Sequence, residues 1–182
     1  MVIENKTIEG KNLRWILRCP TKYDAIELSK LRVKIDGETE NLDREAGEGL
    51  LTPEDFEKLI YEDGVAEKTI FLVAEVEGKI VGFTRCEGSQ LSRFRHKAEF
   101  GICISKEYWG YGIGKVLLEN ILKWADSVGI KKISLTVVQT NTKANQLYKR
   151  YGFVEEGLLI KERIHKDGNY YNTVIMARYH FI

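Results

Sequence analysis

Apolar and polar residues along this chain follow two periods, one for strands and one for helices. Residues 13–18, Leu-Arg-Trp-Ile-Leu-Arg, alternate and predict a strand. Further strands are predicted at 69–76 and 79–87, on either side of a tight Glu77-Gly78 turn, and at 97–105 and 132–138. Residues 154–165 and 172–179 read as a closing hairpin around Lys166-Asp167-Gly168-Asn169. The helical period is clearest at 113–128, where Ile113, Leu117, Ile121, Ala125 and Val128 share one stripe. Thr21 reads as the cap of a helix over 22–35. Thr52-Pro53-Glu54-Asp55 joins a cap, a proline at the first position and acids in the first turn, a strong helix start. A last helix is predicted over 141–151, and residues 37–51 form a polar loop. Strands alternating with helices predict a mixed α/β sheet.

Residues 98–115, Ala-Glu-Phe-Gly-Ile-Cys-Ile-Ser-Lys-Glu-Tyr-Trp-Gly-Tyr-Gly-Ile-Gly-Lys, run from a strand through three glycines into the amphipathic helix. Glycines let a backbone approach a ligand and let several N–H groups point one way. The helix N-terminus behind them adds a positive dipole end. The segment is either a seat for an anion such as a diphosphate or a connector that holds nothing. Two common phosphate motifs fail on spacing. A mononucleotide loop needs Gly, four residues, then Gly-Lys-Ser/Thr; here Trp109 stands at the first position and Val116 where the Mg²⁺-binding hydroxyl belongs. A dinucleotide fingerprint needs Gly-x-Gly-x-x-Gly, whereas Gly110, Gly112 and Gly114 are spaced Gly-x-Gly-x-Gly and lie past mid-chain.

A second segment, Asn141-Thr-Lys-Ala-Asn145-Gln-Leu-Tyr148-Lys-Arg-Tyr-Gly152-Phe153, follows the β-branched run 133–138. With it the chain resembles the GNAT acetyltransferases, over roughly residues 13–179. That family carries Arg/Gln-x-x-Gly-x-Gly/Ala after its fourth strand and Asn-x-x-Ala-x-x-Leu-Tyr-x-x-x-Gly-Phe on a later helix. Gly112 and Gly114 fill the glycine positions of the first motif; Asn141, Ala144, Leu147, Tyr148, Gly152 and Phe153 fill the second. Trp109 stands at the Arg/Gln position, which removes one side-chain contact and leaves the backbone amides.

The resemblance implies a six- or seven-stranded mixed sheet flanked by helices, with two central strands splayed to admit a pantetheine arm. It implies acetyl-CoA as co-substrate, no metal, and direct attack of a primary amine through a tetrahedral intermediate. Backbones of Ile102, Cys103 and Ile104 would hold the pantetheine and polarise the thioester. Trp109, Gly110, Tyr111, Gly112, Ile113, Gly114 and Lys115 would take the pyrophosphate, and Asn141 and Asn145 the pantetheine amides; Asn141 also reads as a helix cap. Such chemistry needs a neutral amine, a stabilised oxyanion and a proton for the leaving thiolate. Tyr148 stands at the family's general-acid position; a phenol of pKa about 10 stays protonated at neutral pH. The other reading of Tyr148 is a packed aromatic. Glu99 is either a base, direct or through water, or a structural carboxylate paired with Arg85, Arg95 or Lys97. Cys103 reads as a small filler of a central strand rather than a nucleophile.

Bulk properties fit one domain spanning 1–182: 43 % hydrophobic residues and two prolines speak against disorder. The N-terminal residues lack a signal-peptide apolar region, and no stretch reaches the roughly 18 apolar residues of a membrane span. Three scattered cysteines suit reduced thiols and a cytoplasmic location. His96, His165 and His180 are not at metal-ligand spacing. Net charge is +1, yet residues 36–67 hold twelve acids against Arg44 and Lys58. That split suits a cationic acceptor, a small amine or a peptide amine, beside this segment; the alternative is a solvated face. Near-zero net charge and the lack of a binding motif speak against a nucleic-acid binder built on Arg93, Arg95, Lys97, Lys131 and Lys132, and a homodimer is allowed for. The competing function is a non-catalytic acyl-CoA sensor, which would keep the glycine loop and need neither Tyr148 nor Glu99.

Overall fold

The computed structural model describes residues 3–10 and 12–181. Met1, Val2, Lys11 and Ile182, which the reading of 1–182 as one domain includes, lie outside the described residues. The elements in chain order are β1 (Lys6–Gly10), β2 (Leu13–Arg18), α1 (Ala25–Glu38), α2 (Pro53–Val65), β3 (Thr69–Val76), β4 (Lys79–Gly88), β5 (Lys97–Ile104), α3 (Ile113–Ser127), β6 (Lys132–Val138), α4 (Thr142–Arg150), β7 (Phe153–Ile164) and β8 (Tyr170–Tyr179). The strands form one sheet in the order β1-β2-β3-β4-β5-β6-β8-β7. All neighbours are antiparallel except β5 and β6.

The mixed α/β class holds, with one strand beyond the expected six or seven. The added strand is β1, which pairs with β2 from Lys6↔Leu17 to Gly10↔Leu13. The first helix also starts later than its cap suggests. Residues 22–24 form a single 3-10 turn, in which the Thr21 N–H and hydroxyl donate to Asp24. At α2 the Thr52 hydroxyl accepts from Asp55 N and the Asp55 carboxylate accepts from Thr52 N, so two otherwise unpaired N–H groups are satisfied.

Each face of the sheet carries its own core. On one, the α3 stripe Ile113, Leu117, Ile121 and Ala125 packs on Leu72, Ala98, Phe100 and Ile133. On the other, Leu28, Leu31, Ile35 and Phe56 of α1 and α2 pack on Phe71, Val73 and Ile80. Strand β3 is buried on both faces, and its run Ile70-Phe71-Leu72-Val73-Ala74 shows no polar alternation for that reason. No helix among the described residues is long and apolar enough to cross a membrane.

Candidate active site

Strands β5 and β6 run side by side through only three register pairs, Lys97↔Lys132, Ala98↔Ile133 and Glu99↔Ser134. Beyond Glu99 they part, while β5 stays paired to β4 as far as Gly82↔Ile104. The edge of residues 100–104 that faces β6 therefore has backbone groups without a strand partner, and a backbone polar group away from water requires one. Two central strands end this way next to the glycine loop.

The loop is built for close approach. Gly110 (φ +88°) and Gly112 (φ +85°) adopt the left-handed conformation, and a Cβ at either would meet nothing within 4 Å. Gly112 is the N-cap of α3, and the first helical bond closes with Val116 N on its carbonyl at 3.1 Å. The N–H groups of 113–115 thus lack helical partners and sit at the positive end of the helix dipole. This fits a pyrophosphate. Gly114 has a different role: a Cβ there would stand 3.1 Å from Ile104 Cδ1, so its bareness lets α3 close on β5. Ile113 is buried to 1 % exposure in the core, leaving only its backbone for a ligand. Trp109 turns its donors inward, Nε1 to the Ile104 carbonyl at 2.8 Å and backbone N to Lys106 O at 3.1 Å. It bolts the loop to the end of β5 and offers a ligand only its partly exposed ring. Tyr111 and Lys115 are exposed.

Tyr148 lies on α4, 8 % exposed, edge-on to Phe100 at 6.1 Å and packed against Phe153 at 5.7 Å. Burial, and secondarily the Cys103 thiol nearby, raises the phenol well above its usual 10.0. Its hydroxyl has no hydrogen-bond partner among the described residues. Cys103 points to the opposite core, and burial, with Asp36 next in size, pushes its thiol up to about 12. A thiol so placed is not a nucleophile. Asn141 caps α4 by accepting from Ala144 N at 3.3 Å. Asn145 Nδ2 donates to Val138 O at 3.1 Å and Asn141 O at 2.8 Å, which leaves only its carbonyl oxygen for a ligand.

Glu99 is exposed at the last paired position of β5, on the face opposite Ala98 and Phe100. It makes no ion pair with Arg85, Arg95 or Lys97. Arg85 instead holds Asp63 (2.6 Å) and Glu87 (2.6 Å). Ile102 lies three strand steps on from Glu99, about 10 Å, so Glu99 reaches the backbone of Ile102 to Ile104 only through a relay.

A cleft of about 410 Å³ opens between the α1–α2 loop and the end of β7. Its wall includes Asp36, Glu40, Asp43, Glu45 and Glu48 from one side and Glu162, Arg163, His165 and Lys166 from the other. The sides are clasped together: Arg163 donates to Leu42 O (3.2 Å) and Asp43 (2.7 Å), and Lys166 N donates to Glu40 (2.6 Å). Sequence reasoning reached the acidic side and missed the β7 side. Its residues lie about 120 positions away and carry no local signal. Glu38 also has an unforeseen role. It accepts from Lys106 N at 2.7 Å and from the Ser105 hydroxyl, tying α1 to the turn after β5. The cleft and the open edge share one core, because Leu42 of the cleft wall and Cys103 of the open edge both pack against the α1–α2 cluster.

The chain is 33 % identical over 108 residues to an L-amino acid N-acetyltransferase of Escherichia coli, a match covering 59 % of this chain and 66 % of that protein. The matched stretch spans between 39 % and 66 % of the first three such relatives. Among solved structures it is similar to an acetyltransferase of the GNAT family from Streptococcus pneumoniae, with TM-score 0.87, 30 % identity and 91 % and 99 % of the two chains covered. It shares its fold with a phosphinothricin acetyltransferase from Sinorhizobium meliloti in complex with acetyl-CoA, with TM-score 0.79, 18 % identity and 94 % and 89 % covered. The model of the acetyltransferase (GNAT) family matches residues 38–153. That span takes in the parted strands, the glycine loop and α4, and the chain belongs to the GNAT acetyltransferase family.

Proposed function

We propose that this protein moves the acetyl group of acetyl-CoA onto a primary amine by direct attack. The observation that carries this reading is the parting of β5 from β6 beside a left-handed glycine loop at a helix N-terminus. Acetyl-CoA supplies an activated thioester; the chain supplies seats, hydrogen bonds and proton carriers. The N–H groups of 113–115 and the bare backbone of Gly110 and Gly112 take the pyrophosphate without a metal. The open edge at Ile102, Cys103 and Ile104 holds the pantetheine arm and offers N–H donors to the oxyanion. The Asn145 carbonyl oxygen accepts from a pantetheine amide. Tyr148, kept protonated by burial, donates its proton to the departing sulfur. Glu99 takes the amine proton through water. The acceptor enters from the acidic cleft, whose six carboxylates outnumber Arg44, Arg163 and Lys166.

The test is acetyl-CoA-dependent release of CoA over a panel of polyamines, aminoglycosides, amino acids and N-terminal peptides. At least one amine should drive steady turnover and appear acetylated by mass spectrometry. Tight acetyl-CoA binding with no turnover on any amine would identify a sensor instead.

A further inference from the structure

Three buried side-chain nitrogen or oxygen atoms lack a hydrogen-bond partner among the described residues: Asp36 Oδ1, Trp124 Nε1 and His165 Nε2. Two of the three, Asp36 Oδ1 and His165 Nε2, belong to residues lining the same cleft. Asp36 is 4 % exposed. Its Oδ2 accepts from Arg44 Nε at 3.2 Å, with Arg32 Nε at 4.0 Å. The carboxylate is thus held by one oxygen, and the other has no donor. A buried carboxylate oxygen without a donor is costly to keep, and such an atom marks where a ligand or ion completes the set. His165 also lines the cleft, its ring stacked on Tyr171 at 3.9 Å and its Nε2 buried without a partner among the described residues.

The geometry points to Asp36 as the anionic seat for the second, non-reacting cation of a diamine-type acceptor, with His165 Nε2 as an additional hydrogen-bonding group. This rests on the amine-acetylation reading above. The reacting nitrogen cannot be the one held there. An ammonium paired with a buried carboxylate keeps its proton, and an attacking amine must lose it. A seat of this kind therefore grips the far end of the acceptor and aims the near end at the open edge of β5. The acid excess of the cleft supports a cation over a carboxylate-tailed acceptor. Arg44 is part of the device, since it consumes Oδ2 and so weakens the field that Oδ1 presents.

The experiment is titration calorimetry of 1,4-diaminobutane into the protein, with acetylation of 1,4-diaminobutane and 4-aminobutan-1-ol assayed in parallel. Asp36→Asn should weaken diamine binding by about tenfold or more, and Arg44→Gln should tighten it by about threefold. Wild type should favour the diamine over the amino alcohol through KM, by about tenfold, and Asp36→Asn should lose that preference. An Asp36→Asn variant with wild-type melting and CoA affinity that binds the diamine normally overturns the seat. Weaker diamine binding in Arg44→Gln also overturns it, and decides the matter alone if Asp36→Asn does not fold. Diamine binding that depends on Asp36 without any acetylation overturns the acetyltransfer reading and keeps the seat. Turnover that ignores the tail of the amine in wild type keeps the reading and overturns the seat.

Discussion

Single side chains in this site are tuned by burial more than by charge. Tyr148 carries a free hydroxyl in an aromatic slot formed by Phe100 and Phe153, and its pKa stands above the ordinary 10.0. A group whose pKa is raised stays protonated to higher pH. The kcat profile should therefore show no alkaline fall below pH 10 from loss of this acid. Tyr148→Phe removes only the hydroxyl, so acetyl-CoA affinity should hold while kcat falls about 10²-fold. Pre-steady-state thiol release checks this; weakened binding with intact kcat would make Tyr148 a packing residue. Gly112 is tuned by its backbone (φ +85°), so any side chain there adds strain. Comparing Gly112→Asp with Gly112→Asn cancels that strain, because both residues tolerate the left-handed region. The aspartate should lose about tenfold more acetyl-CoA affinity by calorimetry, since it adds a like charge at an anion seat. Equal losses would remove the pyrophosphate from this loop.

Elements meet through a few exact contacts, and these decide how much the sequence can tell. Gly114 is where α3 touches β5. Gly114→Val would drive a side chain into Ile104, already 3.1 Å from a Cβ. Overpacking of this kind should cost about 1–3 kcal/mol, read as a lower urea midpoint, together with weaker acetyl-CoA binding as the helix N-terminus moves. An unchanged midpoint would mean that α3 has room the contact denies. The α3 stripe and the Thr52 box are legible because helix period and capping are local. Strand β1 is not legible, since in Lys-Thr-Ile-Glu-Gly only Ile8 is even partly buried and its pairing to β2 alone makes it a strand. The half of the site proposed for the cofactor, Trp109 to Lys115 and Asn141 to Tyr148, lies in two continuous segments and is legible through their resemblance to the two family motifs. The half proposed for the acceptor is not, because Asp36, Arg163 and His165 come to one cleft only when the α1–α2 loop closes on the end of β7.

At the scale of the whole molecule the charge split survives folding in reduced form. Much of the acid in 36–67 is paired, Asp63 with Arg85, Asp43 with Arg163, Asp36 with Arg44, and Glu40 with a backbone N–H. Asp63, Asp43 and Glu40 tie the segment to β4, to β7 and to the turn after β7, while Asp36–Arg44 ties α1 to its own following loop, so neutralising them wholesale would loosen the cleft as well as discharge it. The residual field comes from the cleft wall, where acids, the exposed Glu45 and Glu48 among them, still outnumber bases. Such a field acts at distances near the Debye length, about 8 Å at physiological salt. For a cationic acceptor kcat/KM should therefore fall as ionic strength rises, by about three- to tenfold from low to high salt. An amine with a carboxylate tail should show a flat or rising dependence. Measuring both acceptors at saturating acetyl-CoA separates this from the cofactor's own salt response, because the positive remainder of the chain also attracts a polyanion. A diamine whose kcat/KM ignores salt would reduce the acidic segment to a structural clasp, and the specificity of the cleft would then rest on its shape.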